Sequence, residues 1–144
     1  LGMLPQPHVT TAMMKNPDLR IALDITKEYK DASGTDFDLP MGCIIVQKDF
    51  AESNKELVEK FMGEYKTSVD FVNNQSPEAS KLMEKFKILP SAAVAEKAIP
   101  YSNIVYIEAG DAKESLEAYY QILFDFEPMS IGGKMADDGF YYQK

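Results

Sequence analysis

Hydrophobic positions along this chain follow two patterns, and the longest example of each lies between Leu39 and Val72. Leu57, Val58, Phe61, Met62, Tyr65, Val69 and Val72 recur at helical spacing with Glu and Lys between them, which predicts one long amphipathic helix. Ser53 or Asn54 suits its cap, by accepting a hydrogen bond from an unpaired amide of the first turn. A separate short turn of helix is expected over Asp49 to Glu52. Immediately before it, Met41 to Val46 is a continuous apolar run rich in β-branched residues, closed by Gln47, Lys48 and Asp49. A continuous rather than alternating run predicts a strand covered on both faces.

The same two patterns recur along the rest of the chain. Leu19 to Ile25 alternates loosely and suits a second strand, and Ile104 to Ile107 a third. Val9 to Lys15 reads as a short helix, and Ile25 to Gly34 as a polar helical turn or loop. Ser76-Pro77 sets a cap residue before a proline at the first helical position, opening a helix that buries Ala79, Leu82, Met83 and Phe86. Ser91 to Ala98 is a small-residue helix. Ala112 to Phe126 is the last, with Leu116, Tyr119, Tyr120, Leu123 and Phe126 facing inward and Pro128 ending it. The tail from Ser130 has no period and is expected to be extended, tacked down by Phe140, Tyr141 and Tyr142. Strands alternating with helices predict an α/β fold, with residues 1–144 forming one unit of helices packed on a small, mostly parallel sheet. Three strands are few for a self-sufficient sheet. Leu1 to Leu4, abutting Pro5, reads as the end of a strand, so the expectation is an incomplete lobe cut from something longer.

Composition narrows the function more than the fold. The 144 residues suffice for one domain with a core, and 45% hydrophobic with 26% charged residues is ordinary for a globular chain. A net charge of −8 argues against a nucleic-acid surface, which needs clustered Lys and Arg, and disfavours an anionic membrane face. It still permits an anion in a pocket whose local field opposes the total. Cys43, the only cysteine, excludes a disulfide within the chain and reads as a small buried hydrophobe in its apolar run. The only histidine, His8, is far from it in sequence, and so few Cys and His residues do not make a structural zinc site. No stretch approaches the roughly 20 apolar residues of a membrane span, and no basic-then-apolar signal segment is visible.

Few residues offer chemistry. Gly132-Gly133-Lys134 is the nearest thing to a phosphate loop, but it lacks Walker spacing and a strand-loop-helix context, and reads as a glycine turn. Asp137-Asp138 are adjacent carboxylates that point apart without a third metal ligand. Asp24, Asp36 and Asp38 lack a spacing that fixes an acid/base pair. His8 stands in a turn stiffened by Pro5 and Pro7, where its ring can donate to an anionic or polar ligand or cap local backbone; Gln6 shares that turn. Tyr101, outside any helix, is an aromatic expected to be exposed. No catalytic set, metal site or cofactor motif emerges.

The strings MLPQPHVTTAM, NPDLRIALDIT and LPMGCIIVQKDFAESNKELVEKFMGEYKTSVDFVN, in this order, resemble the second half of ABC-transporter substrate-binding proteins. The group they are most similar to is the nitrate/sulfonate/taurine type, which includes binders of thiamine-pyrimidine precursors. Lys48-Asp49-Phe50 and Asn54 to Phe61 match that group's strand-to-helix motif, and Ile99 to Ile104 and Ser130 to Lys134 look like later parts of it. The resemblance implies a lobe of the periplasmic-binding-protein type II kind. Its implied function is extracytoplasmic capture of a small solute, in a periplasmic or lipoprotein-anchored parent chain, for delivery to an ABC permease. Gln6, Pro7, His8, Met41, Gly42 and Cys43 would line the ligand site, Gly42 either admitting ligand close to the backbone or relieving crowding beside a helix. Two alternatives stand beside this reading. One is a cofactor-biosynthesis enzyme using His8, for which no base-orienting partner is apparent. The other is an interaction module with an acidic helical face. Unpaired strand edges would further predict self-association.

Overall fold

The computed structural model describes residues 2–143, and its regular structure is helical. Seven α-helices follow one another among the described residues: α1 (His8–Lys15), α2 (Ile25–Ser33), α3 (Lys48–Ser53), α4 (Lys55–Asn74), α5 (Ser76–Lys85), α6 (Ala92–Ala98) and α7 (Ala109–Phe126). Single 3₁₀ turns occur at Ile99–Tyr101, Pro128–Ile131 and Asp138–Phe140. Local chemistry accounts for several of the boundaries. Asp24 opens α2 by accepting from the backbone amides of Thr26 at 3.0 Å and Lys27 at 3.3 Å, and Gly34 closes it in the left-handed region at φ 69°. The Ser91 hydroxyl opens α6 by accepting from the Val94 amide at 3.2 Å. Pro77 sits in the first turn of α5, where its missing N–H costs nothing. Asn54 acts differently from the cap expected of it: its Nδ2 donates back to the Phe50 carbonyl at the end of α3.

The expected sheet does not form. Among the described residues there is no β-strand, so the α/β architecture and the type II-like lobe are corrected to an all-helical fold. The residues read as strands do hold non-helical backbone from Arg20 to Leu23, Met41 to Val46 and Ile104 to Ile107. What they lack is a neighbour about 4.8 Å away to complete a ladder. No backbone N–H or C=O of Met41 to Val46 is hydrogen-bonded to a described residue. Every residue from Met41 to Phe50 is exposed, Ile45 at 80%, and Cys43 is exposed where burial was expected. A β-branched run sets local conformation, whereas pairing depends on a second segment that this fold does not bring alongside.

The chain divides evenly into two compact units. The first comprises Leu1–Ile21 and Glu56–Tyr106. In it α6 packs against both α5 and α1. Its interior is made of small side chains: Ala79 and Ser80 of α5, Val94, Ala95 and Ala98 of α6, and Ile99 just beyond, with Val58 and Val69 of α4. Ala at the contact lets two helices approach closely, and the Ser80 hydroxyl is satisfied by donating to the Ser76 carbonyl at 2.6 Å. Phe61, Tyr65 and Tyr106 form a run of ring contacts at 6.1 and 6.2 Å, and Asn73 Nδ2 donates to the Ile104 carbonyl at 2.8 Å.

The second unit comprises Ala22–Lys55 and Ile107–Lys144. Aromatic rings join its parts. Tyr29 of α2 meets Tyr119 of α7 edge-on at 6.0 Å, Tyr119 lies 6.2 Å from Tyr120, Tyr120 meets Phe140 at 6.4 Å, and Phe140 meets Tyr141 at 5.3 Å. Edge-on pairs bring the positive ring edge to the negative face of the next ring. The Pro128–Ile131 turn folds back on α7. Ala51 and Tyr141 are buried here. Across both units no described Leu, Met or Phe is buried. Leu82 of α5, Phe86 just past its end and Phe126 of α7, expected to face a core, are instead 42%, 65% and 91% exposed.

Candidate functional site

The residues singled out in the sequence separate between the units. Gln6, Pro7 and His8 belong to the first, and Met41, Gly42 and Cys43 to the second. Pro7, which follows a cis peptide bond, precedes α1, and its carbonyl accepts from the Thr11 amide and hydroxyl, both at 3.0 Å. Gln6 Oε1 accepts from the Thr10 hydroxyl at 2.7 Å. The His8 amide donates to the Pro5 carbonyl at 2.9 Å, and its residue is exposed at the first position of α1. The turn is thus tied to its own helix by local bonds, and Gln6 spends its acceptor on Thr10. Met41 is 76% exposed. A Cβ on Gly42 would meet no atom within 4 Å, so crowding beside a helix is not what glycine relieves there.

A pocket lies elsewhere, wholly inside the second unit. It has a volume of about 350 Å³, near the lower end of ligand-site volumes, which suits a small molecule. Tyr120 of α7 and Phe140 contribute rings to it, and Ile131, Met135 and Ala136 contribute aliphatic surface. Lys134 is the one charged residue on its lining. The Lys134 ammonium makes no ion pair among the described residues. Nearby Asp138 is engaged by Lys113, whose hydrogen bond holds the Asp138 carboxyl below its usual range while the lysine is pushed up. An unpaired ammonium against an apolar wall can attract a compact anion, and flanking rings offer a face to a planar one.

The turn that delivers Lys134 explains the two glycines before it. Gly132 and Gly133 both hold left-handed backbone, at φ 80° and 81°, which a side chain would strain. Their amides donate to the carbonyls of Met129 at 3.2 Å and Pro128 at 2.8 Å. These bonds close the turn and leave neither amide free to cradle a phosphate.

Burial pushes the Tyr120 hydroxyl above its ordinary value, with smaller contributions from Cys43 and Tyr119. Of the residues singled out in the sequence, Gly132 and Lys134 line this pocket, whereas Gln6, Pro7, His8, Met41, Gly42 and Cys43 do not. Tyr141, next to Phe140, is also pushed up by burial, and its hydroxyl is buried without a hydrogen-bond partner among the described residues. Sequence reading placed Tyr120 in a core and Phe140 in a tail; Gly132-Gly133-Lys134 was the only available signal, and it was read as a turn. Among the described residues no three His, Cys, Asp or Glu converge as for a metal, and no helix is long and apolar enough to cross a membrane. Compared with protein-family profiles, curated proteins and solved structures, the chain matches none.

Proposed function

We propose that this chain binds, without transforming it, a small anionic or heterocyclic solute such as a sulfonate, nitrate or a pyrimidine-type compound. Its place would be the one such binding components hold in ABC importers, outside the membrane and in partnership with a permease. The observation that carries the reading is the pocket of the second unit, with Lys134 as its single unpaired charge against Tyr120, Phe140 and aliphatic surface. Recognition would combine the ammonium, a compact donor, with ring stacking on a planar ligand.

The test is thermal unfolding against a panel of sulfonates, nitrate, taurine and pyrimidines, with wild type and Lys134→Met side by side. A ligand at about 100 times its dissociation constant stabilises a folded state that alone binds it by roughly 2.7 kcal/mol. Expected is a clear upward shift for at least one anionic member, lost in Lys134→Met, whose exposed position leaves the fold intact. No shift across the panel, or an equal shift in the variant, would sink the proposal.

A further inference from the structure

We infer that the pocket of the second unit takes an aromatic monoanion, a flat arene carrying a single carboxylate or sulfonate group. The inference rests on the solute-binding reading above and narrows it. Its first support is that the polar and the apolar groups of the lining come from different segments. Lys134, Met135 and Ala136 are consecutive, and their backbone amides donate to no acceptor among the described residues. With the unpaired Lys134 ammonium they form a stretch of donors that suits one acidic group, which only accepts hydrogen bonds. Ile131, Tyr120 and Phe140 lie opposite in character, apolar but for the Tyr120 phenol. Burial holds that phenol neutral at ordinary pH, so it adds no charge to the wall.

Ring geometry supplies the second support. The Tyr120 and Phe140 rings stand 6.4 Å apart at 71° to one another and so make a corner. A flat arene stacked on one of them presents its edge to the other, and these are the two arrangements that aromatic pairs prefer. A saturated ring fills the same space without the matching quadrupole. A compact inorganic anion leaves the corner empty. The share of liquid volume held by one water is about 30 Å³, and nitrate, a small ion, fills only a minor part of about 350 Å³.

Charge limits the ligand to one acidic group. Lys134 is the only cation on the lining, and the chain runs directly from Ala136 into Asp137 and Asp138. Lys113, the lysine bonded to this segment, is already engaged by Asp138 at 2.5 Å and by Glu117 at 3.8 Å. Its hydrogen bond keeps the Asp138 carboxyl below the usual range and therefore ionised. A second acidic group would meet carboxylates with no free cation on the lining to offset it.

The experiment is isothermal titration calorimetry of the whole chain at neutral pH with carboxylates that share one headgroup: benzoate, cyclohexanecarboxylate, acetate and isophthalate. Benzoate should bind most tightly. Its ring should gain about tenfold or more over acetate by burial, and about threefold or more over cyclohexanecarboxylate by stacking. Isophthalate, with its second carboxylate, should bind about threefold or more weakly than benzoate. Lys134→Met should abolish benzoate binding. Phe140→Leu should erase the preference for benzoate while cyclohexanecarboxylate still binds, a result that loss of the fold would not give. The ranking in the unaltered chain needs no variant at all. Any of the other carboxylates matching benzoate, with binding lost in Lys134→Met, overturns the inference and leaves the anionic-solute reading standing. Binding by no member of the series also overturns it, and the thermal panel then decides the broader reading separately. Benzoate binding that survives Lys134→Met overturns both.

Discussion

The two units solve the packing problem with opposite materials. The first brings helices together through Ala79, Ala95 and Ala98, the second joins its parts through Tyr29, Tyr119, Tyr120, Phe140 and Tyr141. Small residues give close helix contact with little apolar area, so nearly every such position is fully buried and none has slack. Rings give large area at separations near 6 Å but leave their edges partly wet and their hydroxyls in need of partners. The close-packed unit is accordingly expected to carry the stability. The ring-joined unit, which also holds the pocket and the unpaired segment, is where binding can be accommodated.

That contrast can be tested by similar changes made in each half. The largest effect should come from Ile99→Ala, since Ile99 is 5% exposed beside α6; about 3 kcal/mol of unfolding free energy should be lost, measured by urea denaturation. Next come the helix caps. Ser91→Ala in the first unit and Asp24→Ala in the second should each cost about 1 kcal/mol, read from the same denaturation midpoints. If the first unit is the more cooperative, Ser91→Ala should also lower the melting temperature of the whole chain, whereas Asp24→Ala should chiefly raise amide exchange within α2.

Tyr141→Phe should have a smaller effect and of opposite sign. The buried hydroxyl has no partner, so its removal should be neutral or stabilising by up to about 1 kcal/mol at neutral pH. The variant should also change the alkaline limb of stability. Burial raises the folded-state pKa of Tyr141 above the ordinary value of 10.0, so the folded state favours the neutral phenol. Its contribution is fully present below about pH 10 and is lost as pH rises through the raised value. Stability of the phenylalanine variant should fall less steeply there, and an identical pH profile would contradict the assignment. Smallest of all, Ile45→Ala should change monomer stability by no more than about 0.5 kcal/mol, although it removes the same side chain that matters so much at position 99.

Helices were largely legible in the sequence because their evidence is local. The stripe from Leu57 to Val72 lies within α4, Ser91 caps α6 as its hydroxyl suggested, and Pro128 follows the end of α7. Strand pairing depends on remote partners, which is why Met41 to Val46 reads as a buried strand in the sequence although in the structure it is non-helical, exposed and unpaired among the described residues. Burial was misjudged for a related reason. Leu82 and Phe86 continue the apolar spacing of α5 and its C-cap, yet the residues α5 buries are Ala79 and Ser80, a turn earlier. The pocket gathers Tyr120 with residues from Ile131 to Phe140, and in sequence only two glycines and a lysine hinted at it.

That no described Leu, Met or Phe is buried has a thermal consequence. The heat-capacity increment of unfolding reflects the apolar surface newly wetted, typically 12–15 cal/mol/K for each residue, about. A chain whose large aliphatic and phenyl groups already meet solvent has less left to wet, so its increment should fall below that range. Its stability curve is then shallow: warming produces a broad, low-enthalpy transition, and chilling removes little. Covering those side chains would deepen the curve, so calorimetric curvature itself becomes a gauge of how much of this surface is occupied.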